Sequence, residues 1–254
     1  PTGAGKSMVL VHLGAQALRE GKNVIHYTLE LADTVVAGRY DSCITGVGLS
    51  NMMSFKEKIY EEIQDIKGKL IVKEYPTRSA SVETLKAHLE KMKLRGFEPD
   101  LIIVDYGDLL RPISSGKDEK RHQLETIYEE LRGIAQINEC PVWTASQTNR
   151  SGLNAEVITM EAISEAFNKC FVADFIFTVS RTIEDKNTNG GRIFIAKNRN
   201  GPDGLVYPIF MDTSNVRIKV MPQTNETVDD ILENSAKKQM QRLKEKYKDF
   251  KKEK

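Results

Sequence analysis

Residues 101–106, Leu-Ile-Ile-Val-Asp-Tyr (LIIVDY), form a near-continuous apolar run that stops on a carboxylate. A strand that is apolar at consecutive positions has both faces covered, as in a parallel sheet packed between helices. Asp105 closes the run and therefore belongs at the carboxyl end of the strand, the edge where open α/β sheets bind ligands. A carboxylate there is costly to desolvate unless something offsets its charge, so Asp105 is expected either to cap a helix or to meet a cation.

The pattern repeats on both sides of this run. NVIHYTLEL (23–31) reads as a buried strand ending in an acid, LIVKEYP (70–76) as another stopped by Pro76, and PVWTASQ (141–147) as a fourth. Helical periodicities alternate with them. MVLVHLGAQALREG (8–21) is closed by Gly21 as a C-cap, and ADTVVAGRYDSCI (32–44) and SFKEKIYEEIQDIKG (54–68) follow. A helix capped by Ser81 runs to about Leu94, and LETIYEELRGIAQIN (124–138) follows a polar loop, RPISSGKDEKRHQ (111–123). From Asp174 the pattern changes to short strands: DFIFTVSR (174–181), GRIFIAKNRNG (191–201), LVYPIFM (205–211) and VRIKVM (216–221). Asn189-Gly190-Gly191 and NGPDG (200–204) supply the turns. The expected fold is α/β, a mainly parallel sheet flanked by helices and extended by C-terminal antiparallel hairpin strands.

The bulk composition is that of a globular protein, with 254 residues, 29% charged and 40% apolar. No apolar run approaches the roughly 20 residues that span a bilayer, and no signal peptide is visible, although a chain that starts inside a motif leaves any upstream segment open. Three widely spaced cysteines, Cys43, Cys140 and Cys170, suit a reducing compartment better than a disulfide framework or a zinc site. The net charge of +1 is unevenly spread: residues 235–254 carry nine Lys/Arg against three Asp/Glu, leaving −5 on residues 1–234. The expected division is a domain over 1–225 and a polar, basic helical tail over 226–254. Such a tail suits contact with nucleic acid or an acidic partner, or equally a solvated helix or frayed end.

The chain opens on PTGAGKS, the second half of a phosphate-binding loop of the form G-x-x-x-x-G-K-[ST]. If Ser7 begins a helix, Gly3, Ala4 and Gly5 present backbone N–H groups to an anion at its positive end. Lys6 then reaches phosphate and the Ser7 hydroxyl binds Mg²⁺. The fragment by itself is equally a turn with an exposed lysine; Asp105, placed to hold the same Mg²⁺, favours the functional reading. Glu30 stands at a neighbouring strand end, where a carboxylate can orient and polarise an attacking water. Gln147 lies at another strand end, suited to contact a γ-phosphate or to be a plain loop amide. Lys197 and Arg199, two apart, project from one strand face. They suit transition-state charge or a solvent-facing basic pair.

In this order and at these spacings YTLE, LIIVDYGDLL, TASQTNR and IAKNRNGP resemble the RecA-type motor domain of DnaB-family replicative helicases, most closely those of large tailed phages. The likeness covers about residues 1–221. It implies a RecA-like ATPase that hydrolyses ATP with Mg²⁺ and moves 5′→3′ on single-stranded DNA as a homo-hexameric ring, with primase and a helicase loader as partners and, for a phage protein, a bacterial host cytoplasm. It further implies a nucleotide-binding loop at Gly3 to Ser7, a catalytic Glu30, metal binding by Ser7 and Asp105, and Gln147 as γ-phosphate sensor. Lys197 and Arg199 match the K-x-R pair that reaches a neighbouring subunit's site. The loop is then a real one cut through by the start of the chain, and the strand that feeds it lies inside the sheet in this family. The family's R-E-S-G-type DNA loop aligns with SEAF (164–167), where Glu165 alone agrees. Arg111, Lys117, Lys120 and Arg121 form a basic stretch, interrupted by Asp118 and Glu119, that could contact DNA phosphates. The rival readings are a RecA/RadA-like recombination ATPase, a KaiC-like switch ATPase without need of DNA, and a non-catalytic nucleotide-binding scaffold. Glu30, Asp105 and Arg199 together speak against the scaffold.

Overall fold

The structure, a computed structural model, describes residues 5–112, 120–148, 155–160 and 168–223, with Val228, Asp230, Ile231, Glu233, Lys237 and Met240 beyond them. Strands β1 (Val24–Thr28), β2 (Leu70–Glu74), β3 (Leu101–Asp105) and β4 (Val142–Thr144) form a parallel sheet in the order β2-β1-β3-β4. Helices α1 (Lys6–Arg19), α2 (Asp33–Thr45), α4 (Val82–Leu94) and α5 (Lys120–Asn138) cover it, and α3 (Lys56–Gln64) follows a 3-10 segment at Leu49–Phe55.

The two-residue period of a strand sorts the core into two layers. Ile25 and Tyr27 of β1 and Ile102 and Val104 of β3 pack with Val82, Leu85 and Leu89 of α4 and Ile127, Leu131 and Ile134 of α5. The alternate positions, Val24 of β1 and Leu101 and Ile103 of β3, pack with Leu10, Val11, Ala15 and Leu18 of α1 and Val36, Tyr40 and Cys43 of α2. Each such side chain, fully buried, stabilises the fold by about 1.5–3 kcal/mol before chain entropy is counted. The same period assigns Asp105 to the α1 face, because it follows Leu101 and Ile103 at even steps. Helix α1 lies close to α2 at Gly14, where a Cβ would collide with the Tyr40 hydroxyl.

A second, antiparallel sheet has the order β5 (Phe175–Ser180), β6 (Gly190–Asn198), β7 (Val206–Asp212), β8 (Arg217–Val220). The expected single extended sheet is thus two: among the described residues no ladder joins β4 to β5. Side chains close the seam instead, with Trp143 edge-on to Phe175 and Phe177 at ring-centroid distances of 5.9 and 5.5 Å. Val9 of α1 packs on Ile209, Met211 and Ile218 and fastens the second sheet to the first helix. Strand β4 pairs with β3 and is an edge strand of the described parallel sheet. Ile231 is buried with Val157 and Val206, and Val228 packs against this cluster.

Several expected boundaries move, each for a local reason. Helix α5 begins at Lys120 rather than near Leu124, which places Lys120 and Arg121 in a helix and not in a loop. The connection after β5 holds a short helix, α7 (Ile183–Asn187), where a plain hairpin turn was expected. Thr182 accepts from the Asp185 N–H while the Asp185 carboxylate accepts from the Thr182 N–H, a capping box that the T-x-x-D spacing announces. Asn189, at φ 54°, ends this connection in the left-handed region, and the two glycines after it already belong to β6. Strand β4 stops at Thr144 instead of reaching Gln147, because the Thr144 hydroxyl donates to the Val104 carbonyl and accepts from the Gly107 N–H, both at 2.8 Å.

Candidate active site at the carboxyl ends of the strands

Gly5 opens α1 at φ 94°, a left-handed conformation that an L side chain resists, and a Cβ there would meet the terminal methyl of buried Met211. No side chain caps the helix, so its first N–H groups are available to an anion. Gly3 and Ala4 lie outside the described residues. Lys6 extends over the Tyr106 ring, its Nζ 5.9 Å from the centroid.

Asp105 is 1% exposed, and neither carboxylate oxygen has a hydrogen-bond partner. Burial raises its pKa. The Ser7 hydroxyl stands at the carboxylate and draws the pKa back down without completing a hydrogen bond; Glu30's charge raises it, and Arg39 and Lys6 lower it. A buried, orphaned carboxylate between a hydroxyl and two cations fits a divalent cation. Among the described residues no three His, Cys, Asp or Glu side chains converge as a self-sufficient metal site. Asp105 with Ser7 instead suits Mg²⁺, which is commonly bound by one or two carboxylates together with water and substrate phosphate.

This orphan gives a test of its own. With no cation bound, folded Asp105 keeps its proton at pH values where the unfolded chain has released it, so its contribution to stability falls as pH rises through the raised pKa. Asp105→Asn is therefore expected to stabilise the nucleotide-free protein by about 1–3 kcal/mol at pH 8 and by little near pH 4, while abolishing Mg²⁺-dependent nucleotide binding. Urea melts at the two pH values measure the first effect. Equal stability of parent and variant at pH 8 would show that Asp105 is compensated in a way the geometry does not reveal.

Glu30 lies two residues beyond β1, not at its last position, and is exposed. Its place is set by its neighbours. The Thr28 hydroxyl donates to the Leu31 carbonyl (2.7 Å) and accepts from the Leu31 N–H (3.2 Å), closing a tight turn. Leu29 is buried and its N–H donates to the Asp105 carbonyl at 2.8 Å. Glu30 is thus held at the tip, close enough that its charge raises the pKa of both Asp105 and Tyr106. The Gln147 amide donates to the Tyr106 hydroxyl at 2.8 Å. Lys6, Ser7, Glu30, Asp105 and Gln147 therefore gather around Tyr106 at the strand ends.

Lys197 and Arg199 stand elsewhere. Arg199 falls just past the end of β6, yet both side chains converge as their spacing implies. Lys197 donates to the carbonyls of Cys170 (2.7 Å) and Phe171 (3.0 Å), at the end of α6 (Asn168–Val172). Arg199 donates to the Phe171 carbonyl (2.9 Å) and to the Asp174 carboxylate (2.8 Å). Arg132 of α5 takes the Val172 carbonyl (2.6 Å) and shares Asp174 (2.9 Å). Three cations crowd the negative end of one short helix. Partial burial and then the Arg199 charge lower the Lys197 pKa.

Of the basic stretch, Arg111 is exposed, Lys120 and Arg121 lie in α5, and Lys117 falls outside the described residues, as does Glu165. Sequence reasoning missed Tyr106, the hub of the site, although it directly follows Asp105. It also missed Arg39 of α2, whose charge acts on Asp105 and, after burial, helps hold buried His26 down at about 3. A charged residue six positions into an otherwise apolar-faced helix was the available signal.

A sequence model of the DnaB-like helicase C terminal domain matches residues 1–217. The chain belongs to that family. Among curated DnaB-like relatives, the DnaB-like replicative helicase of Enterobacteria phage T4 is 32% identical over 191 residues, 71% of this chain and 40% of the relative. The replicative DNA helicase DnaC of Bacillus subtilis is 30% identical over 122 residues, 45% of this chain and 27% of that protein. The chain thus spans well under half the length of these helicases. Among solved structures the fold recurs in an ATPase domain, at TM-score 0.74 and 16% identity over 87% of this chain and 82% of that one. It recurs too in a DnaB-like replicative helicase described with its interactions with primase, at TM-score 0.73 and 17% identity, covering 86% and 56% of the two chains. The RecA-like expectation drawn from the four motifs holds for the fold and the family.

Proposed function

We propose that this chain is the ATP-hydrolysing motor of a replicative DNA helicase that moves 5′→3′ along single-stranded DNA as a homo-hexameric ring. The observation that carries the reading is the buried, orphaned Asp105 carboxylate facing Ser7 and Lys6 at the start of an uncapped helix. In this reading Gly3, Ala4 and Gly5 cradle the phosphates with backbone N–H groups, and Lys6 neutralises the outer ones. Ser7 and Asp105 hold Mg²⁺, which when bound offsets the buried carboxylate and the phosphate charge. Glu30, exposed at the tip of a braced turn, orients and deprotonates the attacking water. Gln147 senses the terminal phosphate through the position it shares with Tyr106. Lys197 and Arg199, engaged with α6 and apart from Lys6, serve the neighbouring subunit.

Exposed Arg111, with Lys117, Lys120 and Arg121, is the proposed DNA-facing set, acting chiefly through phosphate charge, and Glu165 is added only as the residue that agrees with the family's DNA loop. The primase named with one structural neighbour supports primase as a partner, with a loader besides. Residues 1–225 form the motor and 226–254 a basic appendage. Among the described residues no helix is long and apolar enough to cross a membrane, and a host cytoplasm is the proposed compartment. The deciding experiment is ATPase activity of the full-length protein with and without single-stranded DNA. Strong stimulation is expected; hydrolysis indifferent to DNA would favour a switch ATPase instead.

A further inference from the structure

Lys169 is a lysine that the proposed chemistry leaves unused, and its side chain is only 3% exposed. Its Nζ donates to both oxygens of Asp108, at 3.0 and 3.3 Å, and to the Ser146 hydroxyl at 2.5 Å, and it lies 5.6 Å over the Tyr128 ring. Ser146 passes its own proton toward Asp108 at 3.0 Å, and the Tyr128 hydroxyl donates to the same carboxylate at 2.7 Å. Burial, with the Asp108 charge next, raises the Tyr128 pKa well above its ordinary value, so it stays a donor. Every polar group is satisfied. With its ammonium buried and its carboxylate 18% exposed, such an ion pair contributes little net stability compared with apolar residues of the same volume, and its best-attested use is to specify one arrangement.

The arrangement it specifies joins two parts of the site. Ser146 directly precedes Gln147, and Asp108 lies two residues beyond Tyr106, which receives the Gln147 amide. Lys169 stands on α6, whose last carbonyls at Cys170 and Phe171 are held by Lys197 and Arg199. One five-residue helix is thus tied at one end to the phosphate-sensing segment and at the other to the paired cations. We propose that Lys169 and α6 form a coupling element: movement of the Ser146–Gln147 segment is passed by the buried Lys169–Asp108–Ser146 set to α6, and so to Lys197 and Arg199. A shift at Ser146 either carries Lys169 with it or costs this buried ammonium one of its hydrogen bonds, leaving it on Asp108 alone. Nucleotide in one site would then set the posture of the cations this subunit offers to the next. The proposal rests on the motor reading above. Lys169 acts through other residues and is a positioning residue.

The test uses the full chain carrying Lys169→Met and Asp108→Asn together, which removes both charges at similar volume; the Asn oxygen can still accept from Tyr128 while its amide donates to the Ser146 hydroxyl. Amide hydrogen exchange is followed over residues 168–174 with no nucleotide and with saturating non-hydrolysable ATP analogue and Mg²⁺. In the parent, analogue should change exchange there by about fivefold or more, the lower end of ordinary allosteric couplings. In the double variant the change should vanish, with kcat lowered about tenfold while analogue affinity and KM stay within about twofold. If the double variant does not fold, Ser146→Ala replaces it; at least about half of the response should then be lost. A parent that binds analogue without any change at 168–174 overturns the proposal, as does a variant that keeps the full response. A parent that binds no nucleotide overturns the motor reading, and the coupling falls with it.

Discussion

Arg199→Ala subunits are expected to hydrolyse ATP about 10³–10⁵-fold more slowly than the parent, the usual contribution of an arginine that offsets charge on a transferring phosphoryl group. In this chain Arg199 is bound to the Asp174 carboxylate and the Phe171 carbonyl. The groups whose charges act on Asp105 are Glu30, Arg39 and Lys6, and neither Arg199 nor Lys197 is among them. This suits the proposed action of the pair on another copy. Mixing two inactive full-length variants, Lys6→Ala and Arg199→Ala, under conditions of verified subunit exchange should restore part of the activity. An Arg199→Ala subunit keeps its own loop and borrows the guanidinium of a Lys6→Ala neighbour. No recovery at any mixing ratio would remove the trans assignment. Recovery would also imply that Arg199 exchanges its Asp174 partner for phosphate, an exposed trade that costs little because such surface pairs are weak.

Glu30→Gln is expected to bind nucleotide and to assemble as the parent does while losing hydrolysis by about 10²–10⁴-fold, the reach of a positioned general base. The isosteric amide preserves the turn, since Thr28 and Leu29 form the bonds that hold it and Glu30 itself makes none of them. Removing the Glu30 charge also takes away one of the influences that raise the Tyr106 and Asp105 pKa values. Mg²⁺–nucleotide affinity should therefore fall little or not at all. Single-turnover hydrolysis against equilibrium nucleotide binding separates the two effects; near-parental turnover would take Glu30 out of the mechanism.

Much of the architecture was legible because burial and direction are written locally. Consecutive apolar residues at 101–104 required a strand covered on both faces, and the two-residue period carried that to Asp105 on the α1 side. Gly5-Lys6-Ser7 allowed either a turn or a helix start with free N–H groups, and the left-handed Gly5, which lets the chain enter α1 without a capping side chain, decides for the helix. The two acids expected at strand ends do come near each other: Thr28 and Asp105 share one register position, and Glu30, two residues further on, is close enough for its charge to act on Asp105.

What the sequence could not determine depends on partners far apart in the chain. Nothing local to Lys197 or Arg199 says that both turn to the end of α6, more than 20 residues earlier in the chain, rather than to Lys6. Nothing near Gln147 names Tyr106, 41 residues away, as its acceptor. Lys169, in the run NKCFVADF, reads as an ordinary surface lysine until β4, α5 and the turn after β3 close around it. Periodicity encodes which face of an element is buried, because solvent exclusion acts on each element separately. Which polar group meets which inside that interior is decided only when the layers pack, since a buried charge takes whatever partner the assembled fold brings within about 3 Å.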